Sequence, residues 1–66
     1  MSQLVGLKSF AELRNQTFDR KKLPWFQGRT FNGWRTGELV RFEHAYVVLK
    51  DENGEFNIFA SDLVHA

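Results

Sequence analysis

Few residues in this chain have the types and spacing that chemistry requires. His44 and His65 are the two histidines, and there is no cysteine, so no histidine pair or thiolate set stands at metal-ligand spacing. Asp51, Glu52 and Glu55 form the densest acidic stretch, and beside Asn53-Gly54 they read as a solvated turn. Ser61 precedes Asp62, but a nucleophilic hydroxyl needs a base within hydrogen-bond reach and no spacing supplies one. The pair reads as the start of a helical turn. The expectation is a protein without catalytic residues, metal or cofactor.

A different chemistry is concentrated in residues 20–35, RKKLPWFQGRTFNGWR. Both tryptophans, Trp25 and Trp34, lie there with five cations, Arg20, Lys21, Lys22, Arg29 and Arg35, and no acidic residue. Lysine and arginine neutralise phosphates without reading sequence, and an indole offers a face on which any base stacks. The same residues have a purely structural reading, in which aromatic groups brace a hairpin and charges solvate an edge strand.

The net charge of +1 conceals a division. Residues 1–40 hold seven basic against three acidic groups, a net +4, and residues 41–66 hold two against five, a net −3. Such a split can orient a protein towards a polyanion, although folding interleaves the halves. At 66 residues the chain is expected to be a single domain over 1–66 with a small core. No apolar run approaches a membrane span, no secretory pattern opens the chain, and the lack of cysteine fits a reducing compartment. The expected location is the cytoplasm, away from membranes.

Ser9-Phe-Ala-Glu12 has capping-box spacing and predicts a short helix, with its lead-in, over 9–17. Phe10 and Leu13 give it one narrow apolar face. Pro24 biases Leu23 towards extended backbone, so a first strand begins there from an edge. Asn32-Gly33 predicts a two-residue hairpin loop with both residues at positive φ, placing Phe31 opposite Trp34 and Thr30 opposite Arg35. Arg29 and Arg35 would then meet at the hairpin base. Val40 and Phe42 share one phase, whereas Ala45, Val47 and Leu49 keep another, so a turn or bulge is expected near Glu43-His44. With a turn there, Phe42 meets Ala45 and Val40 meets Val47.

At Asp51–Gly54 two registers compete. A two-residue Asn53-Gly54 loop opposes Glu52 to Glu55, a like-charge pair. A four-residue loop pairs Lys50 with Glu55, Leu49 with Phe56 and Val47 with Ile58, and is the expected one. It also sets Tyr46 against Phe59 on the opposite face, with Val48 and Asn57 beside them. A tight turn after Phe59 returns Leu63 to the core.

About five short strands with tight turns over 24–64 predict a mainly β protein with a short N-terminal helix, either a small five-stranded barrel or a strongly bent antiparallel sheet. The cadence GELVRF…AYVVLKDENGEFNIFASDLV resembles the Src-homology-three-like barrels, a fold that serves many partners. The order FQG…FNGW…AYVV…FNIF…L is also similar to the plasmid-type (type II) dihydrofolate reductases. That second resemblance implies a tetramer whose central pore binds folate and NADPH through a Gln-Ile-Tyr stretch. Asn57-Ile58-Phe59 stands there in this chain, with a shorter amide and no phenolic hydroxyl.

The functional expectation is a binding module or accessory protein. Nucleic acid is the leading partner, met by Lys21, Lys22, Trp25, Arg29, Trp34 and Arg35. The alternative is a protein adaptor or inhibitor that uses an aromatic groove of Trp25, Trp34, Tyr46 and Phe59 for a peptide or another subunit.

Overall fold

The computed structural model describes residues 4–66. Helix α1 (Leu7–Arg14) is followed by strands β1 (Trp25–Thr30), β2 (Gly33–Phe42), β3 (Tyr46–Asp51) and β4 (Gly54–Phe59). A 3₁₀ turn (Ala60–Asp62) then leads into β5 (Leu63–His65). The strands form one antiparallel sheet in the order β4-β3-β2-β1-β5. Its hydrogen-bonded ladder does not close, so of the two expected forms the bent sheet is correct and the closed barrel is not.

The bend is visible where β1 approaches β4, a strand three places away in the sheet order. Gly28 lies so near Ile58 that an added Cβ would stand 2.6 Å from Ile58 Cγ1. Only a residue without a side chain lets the strands meet there. Phe26, Leu39, Val47, Leu49, Phe56, Ile58 and Leu63 fill the concave side, and Val5 and Phe10 cover it from the N-terminal segment.

That segment begins the helix earlier than the sequence predicts. Leu4 bridges Val64 and the Val5 amide donates to the Leu63 carbonyl at 2.8 Å, which ties the chain to β5. Gly6, at φ 86°, makes the reversal, and the Phe10 amide closes the first helical bond to its carbonyl at 2.9 Å. Ser9 is therefore inside the helix and does not cap it. Phe10 is buried and Leu13 half-buried against the core, as expected, and the helix ends at Arg14. Phe10 meets the Phe42 ring edge-on at 5.3 Å, and Phe18 stacks on the same ring at 6.1 Å.

The β3–β4 register is the expected one, with Lys50 opposite Glu55, Leu49 opposite Phe56, Val47 opposite Ile58 and Tyr46 opposite Phe59. The β1–β2 loop lies one residue earlier than expected, at Phe31-Asn32, so each cross-strand partner is displaced by two residues. Thr30 pairs with Gly33, Arg29 with Trp34 and Gly28 with Arg35. The Thr30 hydroxyl accepts from the Asn32 amide at 3.2 Å and donates to the Gly33 carbonyl at 2.7 Å, so the turn is built on Thr30. Only Gly33 takes positive φ, at 109°. Phe31 sits at the tip, fully exposed, rather than opposite Trp34. The second hairpin repeats the device. Asp51 Oδ1 accepts from the Asn53 amide at 2.8 Å and Gly54 has φ 119°.

Between β2 and β3 both a turn and a bulge occur. The Glu43 amide donates to the Tyr46 carbonyl at 2.8 Å across the turn, and the bulge falls between Leu39 and Arg41. Phe42 consequently pairs with Val47, not Ala45, and Val40 has no register partner. The extra residue lets both Leu39 and Phe42 point inward. β1 is an interior strand between β2 and β5, so Pro24 precedes the sheet without marking an edge; its carbonyl accepts from the Leu39 amide at 2.9 Å.

Candidate nucleic-acid interface

Strand alternation divides the basic and aromatic residues between two faces. Along β1, Phe26 and Gly28 point into the core, so Trp25, Gln27 and Arg29 share the outer face. Their cross-strand partners Glu38, Thr36 and Trp34 lie on that same face. Trp25 and Trp34 are 53% and 54% exposed, far more than core packing would leave them. Four residues of strand separate their positions, about 13 Å at about 3.3 Å per residue. The Arg29 guanidinium lies over the Trp34 ring, 5.6 Å from its centre. Beyond Trp34, Gln27, Val64 and Leu4 line a shallow recess of about 500 Å³.

Arg35 does not join this surface. Its guanidinium grips Asp51 through contacts of 2.8–3.0 Å and covers the Phe56 ring at 4.0 Å. Its register partner is Gly28, which faces the core, so Arg35 lies on the opposite side of the sheet from Arg29. The Arg35 hydrogen bonds hold the Asp51 carboxyl below the ordinary carboxylate value. Arg35 therefore clamps two hairpins together, with its guanidinium already engaged by a carboxylate rather than standing free beside Arg29.

Ion pairing sorts the other cations by position. Arg41 reaches Glu43 at 2.7 Å and Glu55 at 4.0 Å, and Lys50 reaches Glu38 at 4.0 Å. The Glu43 hydrogen bond raises the Arg41 pKa. Among the described residues, Lys8, Arg14, Arg20, Lys21, Lys22 and Arg29 make no ion pair. Lys21 and Lys22 are exposed in a turn closed by the Lys22 amide on the Asp19 carbonyl at 3.0 Å, just before Trp25. The unneutralised positive charge thus precedes and flanks the indoles.

Tyr46 and Phe59 form a separate aromatic pair towards the β4 edge. Their rings meet edge-on at 6.5 Å beside Asn57, around a recess of about 190 Å³, and Phe59 is 66% exposed. On the same outer face, Glu38, Lys50 and Glu55 stand in successive registers across β2, β3 and β4. The four aromatic groups expected to form one groove are therefore split into two patches. Gln27 and Leu4 were not among the expected site residues. For Gln27 a signal existed, since Trp25, Gln27 and Arg29 alternate along one strand.

Among the described residues, no group of three metal-ligating side chains gathers, and no helix is long and apolar enough to cross a membrane. No protein-family model, curated protein or solved structure matches the chain.

Proposed function

We propose that the protein is a non-catalytic binding module that takes single-stranded nucleic acid on its outer sheet face. The observation that supports this most is Arg29 stacked on a half-exposed Trp34, on the same face as Trp25 and next to cations that have no acidic partner. Exposed indoles favour unpaired bases, because a duplex hides its base faces, while unneutralised lysines and arginines attract the phosphates. The order of the strands and their bend support the resemblance to Src-homology-three-like barrels, which leaves such a face open.

The test is a tryptophan fluorescence titration with matched single- and double-stranded oligonucleotides. Quenching by the single strand, weakened by salt and by combined Lys21→Gln, Lys22→Gln and Arg29→Gln substitution, is expected. No quenching and no binding at low salt would overturn the reading.

A second reading, protein recognition, has its own support in the Tyr46–Phe59 patch, which is apolar and distant in sequence from the free cations. A partner held there would bind with little dependence on salt and would be lost with Phe59→Ala rather than with the charge substitutions.

A further inference from the structure

A second cleft lies between the segment after α1 and the bulged end of β2. It encloses about 580 Å³, and its lining includes Arg14, Arg20, Arg41, Phe18, Phe42 and Leu23, with no carboxylate. The stacked Phe18 and Phe42 rings form an apolar wall. Arg14 donates one Nη1 bond to the His44 carbonyl at 2.7 Å, and its other donors have no partner among the described residues. Arg20 has no hydrogen-bond or ion-pair partner among the described residues, and Arg41 is held by Glu43. Two guanidiniums with spare donors beside stacked rings match the phosphates and the bases or sugars of an unpaired strand.

The cleft is linked to the indole face through the chain. Trp25 follows Leu23 by two residues, and the Pro24 carbonyl between them is bonded to the amide of Leu39, another lining residue. Lys21 and Lys22 occupy the chain between Arg20 and Leu23. Along the chain, positive and aromatic groups thus run from the cleft through Lys21 and Lys22 to Trp25, interrupted by the carboxylates of Asp19 in the turn and Glu38 opposite Trp25.

We infer that this cleft is the second half of a single-stranded nucleic-acid track, in which Arg14 and Arg20 each bind a backbone phosphate of a strand that stacks on Trp25 and Trp34. The inference rests on the nucleic-acid reading of the outer face and extends it to residues that lie off the sheet.

Salt-dependent titrations with oligothymidylates of about 4 and about 12 nucleotides test it, since open-faced modules cover site sizes in that span. For the longer strand, Arg14→Gln/Arg20→Gln should weaken binding and make the salt slope shallower by about 1.4, or about 0.7 for each phosphate lost from a single strand. The shorter strand, satisfied by the indole face, should bind the variant as it binds the parent. Arg20→Gln alone removes no bond in the structure and should lower the slope by about 0.7. Arg14→Lys/Arg20→Lys should keep the slope. If the long strand binds and neither of the two glutamine variants changes its slope, the cleft lies off the track while the outer-face reading stands. If neither strand binds the parent protein at low salt, both fall together.

Discussion

Gly28→Ala probes the bend that exposes the outer face. An alanine Cβ at this position would lie 2.5 Å from Ile58 Cδ1 and 2.6 Å from Cγ1, against an ordinary contact of 3.4–4 Å. The overlap is close to 1 Å at several atoms. Ile58 is only 1% exposed and has no solvent side into which to swing. β1 and β4 must separate or Ile58 must leave its rotamer, and overpacking of this kind costs about 1–3 kcal/mol. A domain of this size has roughly 3–10 kcal/mol of stability at about 0.05–0.15 kcal/mol per residue. With about 4–8 °C of Tm per kcal/mol for a small domain, the expected fall is about 4–24 °C. Ile58→Ala removes Cγ1, Cγ2 and Cδ1, the three atoms nearest that added Cβ, and alone should cost about 2–5 kcal/mol. In the Gly28→Ala background the same change should cost less, or restore stability. Thermal and urea unfolding of the four proteins in this cycle give the coupling directly. An unaffected Gly28→Ala protein, or strictly additive losses, would refute the close approach of β1 and β4.

Phe56→Ala should lose about 3 kcal/mol or more in urea unfolding, because the ring is buried beneath Arg35 and beside Gly37. The Arg35 contact depresses the folded-state pKa of Asp51, so its contribution is complete above the unfolded value near 3.8 and disappears as pH falls through the lower folded value. The stability gap between the parent and Asp51→Asn should therefore narrow progressively below about pH 4 in acid-unfolding melts. Thr30→Val removes both turn bonds of the Thr30 hydroxyl and should cost about 1 kcal/mol, with faster amide exchange at Asn32 as its local signature.

What the sequence revealed, and what it concealed, follows from how each feature is determined. The β3–β4 register was legible because charge and apolar pairing could be compared between two alternatives, and Lys50–Glu55 chose one. The same comparison was available at the first hairpin. Thr30-Phe-Asn-Gly33 and Asp51-Glu-Asn-Gly54 share an oxygen-bearing side chain at the first position and Asn-Gly at the last two. In both, that side chain accepts from the Asn amide, which shifts the loop by one residue from the Asn-Gly expectation. The bulge at Val40 was masked because alternation locates a phase change only to within a few residues. The helix start was masked because Gly6 acts through the tie of Val5 to Leu63, a contact far away in sequence.

The candidate site divides in the same way. Composition pointed to the segment containing Trp25, Arg29 and Trp34, and alternation places all three on one face. Arg35 looked equivalent to Arg29 in composition, but the register sets it on the opposite face, where Asp51 of the neighbouring hairpin holds it. Arg14 and Arg20 could not be joined from sequence, because the cleft they share is closed by β2 residues far along the chain.

The two tryptophans supply the most direct test of the central claim. Each gives one indole N–H signal, and both rings lie on the face assigned to nucleic acid. A proton–nitrogen NMR titration with a single-stranded oligonucleotide should shift both indole signals together with the backbone amides of 25–29 and 34–36, leaving Tyr46, Asn57 and Phe59 in place. Shifts confined to Tyr46, Asn57 and Phe59, or no shifts at low salt, would contradict the account.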